Sequence, residues 1–184
     1  GQMMEKVVLP PFKPRRTEEE VRQECPWGTT GKLPNRKRNI ITSLALEAEV
    51  MENINLKLQA KYREIEKNEV RFEAHHCEDA DYVLVAFGSI ARICEKAMEM
   101  AREEGYKVGV LRPITLFPFP TNPIKELSQK VKGFLTVEMS AGQMVEDVRL
   151  TVNGAVPVEF YGRMGGIVPS AEEILAALKE KLIK

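Results

Sequence analysis

What this sequence lacks narrows its chemistry first. Its three cysteines, Cys25, Cys77 and Cys94, stand far apart and form no C-x-x-C pair. An iron–sulfur or zinc site held by this chain alone is therefore not expected, and an odd, sparse count fits reduced thiols better than a disulfide framework. Net charge is absent as well: 27 Lys+Arg balance 27 Asp+Glu. The chain as a whole offers no general attraction to nucleic acid or acidic membranes. No apolar run approaches the ~18 residues that would span a bilayer, and no signal-peptide pattern appears. The reading is a cytoplasmic protein with neither nucleic acid nor membrane as partner. Histidine is scarce, and its one pair, His75-His76, would point to opposite sides of an extended segment, which argues against a metal role. Nucleotide and hydrolase signatures are missing too. Gly162-x-x-Gly165-Gly166 lacks the Walker lysine spacing and does not match G-x-G-x-x-G, and there is no G-x-S-x-G elbow.

What remains is an ordinary globular composition, 43% hydrophobic and 29% charged over 184 residues, enough for one substantial domain with an extension. The chain opens Gly-Gln-Met-Met rather than at an initiator methionine, and is expected to be a piece of something longer. Charge is uneven along it. Residues 1–38 hold 9 basic and 5 acidic side chains, leaving 18 against 22 for the remainder. The same segment holds 5 of the 11 prolines, so it is no single regular element. Val7-Val8-Leu9 is a candidate short strand, and Thr17 with Glu20 forms a capping-box pattern for a turn or two of helix. Residues 1–42 thus read as an irregular arm, either a solvated linker or a strap around a partner subunit.

Residues 43–76 form a long helix and its connection. From about Ser43, a candidate cap, to Asn68, a stripe of Glu47, Met51, Ile54, Leu58, Tyr62 and Ile65 recurs at spacings of three and four. Packing against the chain's own core is the favoured reading. A helix laid across another subunit, including a homodimer, is the other.

Residues 77–184 alternate strand and helix. Tyr82-Val-Leu-Val-Ala-Phe runs as a strand into Gly88-Ser89, where Gly88 permits the turn and Ser89 is placed to cap a helix from Ile90 to Gly105. Ile90, Ile93, Ala97, Met100 and Ala101 share one face of that helix, and Gly105 sits where a left-handed cap belongs. Strands follow at 107–111, 133–137 and 157–161. Between them lie helices at 123–130 and 142–152, the latter with Met144, Val145, Val148 and Val152 facing inward. Pro169-Ser170 opens a last helix, 171–181, burying Ile174, Leu175, Leu178 and Leu182. This predicts a three-layer α/β domain with a mostly parallel sheet between helices.

Such sheets bind ligands outside the carboxyl ends of their strands. The residues gathered there are Ser89, Arg112, Glu138, Gly142, Gln143, Arg163, Gly165 and Gly166. Gly142 at a helix start would offer free backbone N–H groups to an anion, and Arg112 and Arg163 would grip one two-pronged. An anion such as a coenzyme A phosphate is one candidate occupant; neighbouring subunits are the other. Glu138 beside Ser140 reads either as a catalytic pair or, preferably, as a carboxylate satisfying a helix N-terminus or pairing with Arg112. No catalytic residue and no metal ligand is assigned.

The succession ADYVLVAFGSIAR, AREEGYKVGVLRPITLFPFP, VEMSAGQMVEDVR and FYGRMGG resembles the C-terminal part of the alpha subunit of 2-oxoacid:ferredoxin oxidoreductases, closest to the branch acting on 2-oxoisovalerate or 2-oxoglutarate. The likeness includes KYREIEKNEVRFE in the long helix and is loosest in the N-terminal arm. It implies a domain like the transketolase C-terminal domain within a thiamine diphosphate enzyme. That enzyme would decarboxylate a 2-oxoacid to an acyl-CoA and pass electrons through iron–sulfur clusters to ferredoxin. It also implies that thiamine diphosphate, its magnesium and the clusters belong to other parts of the parent complex. The pyrimidine-side glutamate and the G-D-G diphosphate motif have no counterpart here. The resulting expectation is a structural domain, inert alone, whose partners are the other domain of its subunit and the other subunits.

Overall fold

A computed structural model describes residues 8–29, 31 and 37–183. Two compact units are distinguished, residues 1–55 and 56–184.

In the first unit the described residues of the arm form no strand. Among them one complete helix, α1 (Glu18–Glu24), starts with the reciprocal cap expected of Thr17 and Glu20. The Thr17 hydroxyl accepts from the Glu20 N–H at 3.2 Å, and the Glu20 carboxylate accepts from the Thr17 N–H at 2.7 Å. The strand suggested at Val7-Val8-Leu9 is not formed at Val8 and Leu9, and Val7 lies outside the described residues, as does Pro34.

Helix α2 (Ala48–Asn68) begins five residues after Ser43, so Ser43 does not cap it. The larger correction concerns what the stripe does. No residue of α2 is buried. Met51, Ile54, Leu58 and Tyr62 are each about 40% exposed, at 37%, 39%, 39% and 40%. An apolar stripe specifies that a helix packs, but its spacing is the same whether the surface it meets is its own core or another molecule.

The second unit is built on a five-stranded sheet of order β1-β3-β2-β4-β5, with β1 (Phe72–His75), β2 (Tyr82–Val85), β3 (Val108–Pro113), β4 (Gly133–Glu138) and β5 (Val158–Gly162). Strands β2 to β5 are parallel, and β1 alone runs against its neighbour β3, Phe72 opposite Pro113 and His75 opposite Val110. This edge strand was not anticipated. Four residues give too little alternation to read, and the segment fell within the connection expected after the long helix.

Period-two alternation divides the strand side chains between two helical layers. Leu84, Val108, Val110, Leu135 and Val137 pack with α3 (Ser89–Glu103) and α6 (Ala171–Leu178). Val83, Val85, Leu111 and Phe134 pack instead with α4 (Thr121–Leu127) and α5 (Met144–Val152). The result is the predicted three-layer sandwich. Helix α6 continues as a π-helical turn, Lys179–Ile183, and Leu182 there is only partly buried against the first layer.

The helix ends show how local chemistry sets these boundaries. Gly88 has φ +63°, and α3 starts at Ser89 itself with no side-chain cap, so Ser89 is the first helical residue rather than the cap. At the far end Gly105 has φ +89°; its N–H donates to Arg102 O and the Tyr106 N–H donates to Ala101 O, the paired bonds of a left-handed helix stop. Pro123 falls in the first turn of α4, where its missing N–H has no helical partner to lose. Ser170 and Glu173 cap α6 reciprocally.

Candidate functional site

The crossovers place a crevice. After β2 the chain crosses through α3 to β3 on one side; after β4 it crosses through α5 to β5 on the other. The carboxyl ends of β2 and β4, adjacent in the sheet, therefore flank the point where a ligand would enter an open α/β sheet. Gly88-Ser89 lies on one lip and Glu138 to Gln143 on the other.

On the second lip the anion position is filled from within. Glu138 ends β4 and is only 3% exposed. Its carboxylate accepts from the backbone N–H of Gln143 (3.0 Å to Oε2), Met144 (3.1 Å to Oε2) and Val145 (2.9 Å to Oε1), the free donors at the start of α5. The Ser140 hydroxyl donates to Glu138 Oε2 at 3.0 Å and accepts from the Gly142 N–H at 3.1 Å. Helix α5 begins at Met144 rather than Gly142, which takes φ +108° to turn the chain back over the carboxylate. A carboxylate offers about four acceptor positions. Here four donors converge, three of them on Oε2, so the carboxylate is held in place closing the start of α5. The expectation that Gly142 introduces unoccupied N–H groups is thus corrected: the helix start is an anion site whose anion is a residue of the same chain.

Both arginines are ion-paired, although Arg112 Nε is buried without an acceptor. Arg112 Nη1 donates to Glu73 Oε2 at 2.8 Å, its cross-strand partner on β1, and not to Glu138. Arg163 Nη1 donates to Glu173 Oε1 at 2.7 Å, while the Arg163 backbone N–H donates to Glu138 O at 3.2 Å. Contact with Tyr161, followed by the charge of Glu173, holds the Arg163 guanidinium protonated above its ordinary range. Gly165 and Gly166 are exposed at φ +67° and +84° in the loop after β5. Of the residues singled out, then, Glu138, Gly142, Gln143 and the Arg163 backbone converge. Ser89 is exposed on the opposite lip, and Arg112 belongs to the β1 edge.

Glu73 and Glu173 were missed as partners. Glu73 could not be found without β1, but Ser170-x-x-Glu173 is a capping-box spacing and was readable. Beside Arg112, His75 Nε2 lies 3.8 Å from carboxylate oxygens of both Glu73 and Glu95. Among the described residues no three His, Cys, Asp or Glu side chains are grouped to hold a metal ion. No helix of the described residues is long and apolar enough to cross a membrane.

The loops after β4 and β5 also expose apolar side chains to solvent. Met139, Met164, Ile167 and Val168 are 43% to 58% exposed on the loops after β4 and β5.

Comparison with known proteins agrees with this architecture. The chain is 44% identical over 161 residues to ketoisovalerate oxidoreductase subunit VorB of Methanothermobacter marburgensis, covering 88% of this chain and 45% of that one. It is 42% identical over 182 residues to the same subunit of Methanothermobacter thermautotrophicus, covering 98% and 49%. The chain therefore spans about half the length of these curated relatives. A solved structure of 2-oxoglutarate:ferredoxin oxidoreductase from Magnetococcus marinus superposes with a TM-score of 0.64 over 74% of this chain and 24% of that one, at 22% identity, a likeness of fold. Residues 80–174, just over half the chain and containing both lips of the crevice, match the model for pyruvate:ferredoxin oxidoreductase core domain II. The chain belongs to the pyruvate:ferredoxin oxidoreductase core domain II family.

Proposed function

We propose that this chain is the C-terminal, transketolase-like domain of the alpha-type subunit of a cytoplasmic 2-oxoacid:ferredoxin oxidoreductase, and that it serves assembly rather than catalysis. In that enzyme a 2-oxoacid is oxidatively decarboxylated to an acyl-CoA while ferredoxin is reduced. The observation carrying the assembly role is the Glu138 carboxylate seated on the N–H groups of α5. The place where an open α/β sheet normally receives a ligand phosphate is already satisfied.

Thiamine diphosphate does not fit the donors at this site. The backbone N–H groups are bonded to Glu138, and Arg112 and Arg163 are paired with Glu73 and Glu173. No step of the reaction is assigned to this chain. Thiamine diphosphate, magnesium and the iron–sulfur clusters belong on this reading to other domains and subunits, as do the contacts with coenzyme A and ferredoxin. Exposed Met139, Met164, Ile167 and Val168 would face a neighbouring domain or subunit.

Calorimetric titration of the chain with coenzyme A and with thiamine diphosphate tests the proposal. Neither is expected to bind at micromolar concentration. Micromolar binding of coenzyme A, abolished by Arg112→Ala or Arg163→Ala, would replace this reading with that of a self-sufficient anion-binding module.

A further inference from the structure

Among the described residues three buried side-chain polar atoms have no hydrogen-bond partner, and two of them belong to one cluster at the β1 edge: His75 Nε2 and Arg112 Nε. The cluster draws on three elements. Glu73 and His75 lie two apart on β1 and so share a face, Arg112 stands opposite Glu73 on β3, and Glu95 comes from α3. Glu73 Oε2 is 2.8 Å from Arg112 Nη1 and 3.8 Å from His75 Nε2, and Glu95 Oε1 is 3.8 Å from that same nitrogen. At 3.8 Å neither carboxylate is hydrogen-bonded to the imidazole. One turn to either side of Glu95 stand Arg92, in no ion pair among the described residues, and Glu99, which is paired with Lys96. Farther along α3, Arg102 is held by Asp79 and His76 O. Around His75, then, two carboxylates face one guanidinium. The cluster is one positive charge short, and the atom between the carboxylates is a nitrogen that can acquire it.

We infer that His75 is a proton-operated clamp on the edge strand. Protonated, its Nε2–H donates toward Glu73 and Glu95 together and balances the cluster, fastening β1 to α3 as well as to β3. Neutral, it makes no such tie. The sign follows: imidazoles gain their proton as the pH falls from about 8 to about 5, so the clamp is closed on the acid side and lost as the pH rises. The four side chains are 37% to 43% exposed, which confines the effect to that of a solvent-screened ion pair. Because β1 follows α2 directly, the clamp sets how firmly the root of the long helix is held to the sheet.

The chain has two histidines, and His76, which joins no ion pair among the described residues, is the internal control. Nuclear magnetic resonance of the full chain follows both imidazoles from pH 8.5 to pH 5, in the parent and in Glu95→Gln. The His75 titration should move to lower pH in the variant while that of His76 stays in place. Amide hydrogen exchange in β1, corrected for the intrinsic effect of pH, should slow by about threefold between pH 8 and pH 5.5, the size of a partly exposed ion pair. His75→Gln should abolish that slowing and His76→Gln should keep it. Should His75→Gln lose β1 altogether, Glu95→Gln decides, because it retains the histidine and the Arg112–Glu73 pair. A His75 titration indifferent to Glu95→Gln, or a slowing of β1 exchange that survives His75→Gln, would overturn the inference.

Discussion

Val145 donates its backbone N–H to Glu138 Oε1 at 2.9 Å, joining the second residue of α5 to the last residue of β4. Gln143 and Met144 donate to the same carboxylate. One side chain thereby satisfies three backbone donors and neutralises the positive end of the helix dipole. Replacing Glu138 by Ala leaves those groups without partners beside a nearly buried site. The expected cost is about 2–4 kcal/mol, with Glu138→Gln costing roughly half because its amide retains one acceptor oxygen. Urea denaturation of the two variants measures both. A loss below about 0.5 kcal/mol for Glu138→Ala, the range of an ordinary surface change, would mean that water replaces the carboxylate freely.

Gly162 sets the neighbouring loop. A Cβ there would lie 2.4 Å from Ser140 O and 2.4 Å from the Phe160 ring. Rotation of the phenyl ring about its axis leaves Cζ where it is, and the carbonyl belongs to the residue that clamps Glu138 and can move only with its loop. Gly162→Ala should cost about 1–3 kcal/mol, as overpacking does. Its effect should be less than additive with that of Glu138→Ala, since both disturb one structure. Additive losses in the double variant would separate the two.

Arg102 ties three segments together at the other end of the sheet. Its Nε donates to Val108 O at 2.7 Å, and Nη2 donates to His76 O at 2.9 Å and to Asp79 Oδ1 at 2.7 Å. The hydrogen bond from Arg102, together with its charge, holds the Asp79 carboxyl below its ordinary 3.8. A carboxyl lowered by folding contributes stability above its unfolded pKa of about 3.9 and loses it as the pH falls through the lower folded value. Urea midpoints followed from pH 6 to pH 2 should therefore show parent and Asp79→Asn converging at the acid end. A gap that persists unchanged at pH 2 would assign the difference to something other than this ionisation.

The thiols should react unequally. Burial, with a smaller contribution from Glu78, pushes Cys77 up to about 11, and burial pushes Cys94 higher still. Cys25 is partly exposed. Titration with a chromogenic disulfide at pH 8 should give one fast thiol in the native chain and three after denaturation. Fast reaction of Cys25→Ser would show that one of the buried thiols is reached by local opening.

Ser170 accepts from the Glu173 N–H at 3.2 Å while Glu173 serves both Ser170 and Arg163. Ser170→Ala should cost about 1 kcal/mol through loss of the cap. Glu173→Ala should cost more, because it also releases Arg163 from beside the loop after β5. Equal melting temperatures for the two variants would remove that second contribution.

The alternation of strand and helix was legible because it is written in local terms: apolar runs of strand length, Gly88 and Gly105 at turns, Pro123 and Ser170 at helix starts. The preferred role of Glu138 was also legible, since a carboxylate that ends a strand before a short loop can reach the next helix. Direction of packing was not. The α2 stripe specifies that the helix binds something without specifying what, and Arg112 chose Glu73 over Glu138 through a cross-strand register that only the folded sheet supplies. Strand β1 is four residues long and half exposed, so neither periodicity nor hydrophobicity marks it.

The reversal of that strand has a directional consequence. Since Phe72 lies beside Pro113, the chain leaving α2 enters the sheet at the rim where β2, β4 and β5 finish. A parallel first strand would have been entered from the opposite rim. The four residues thus fasten the root of the long helix to the same shoreline as the Glu138 and Arg163 loops, with β1 at one edge of the sheet and β5 at the other.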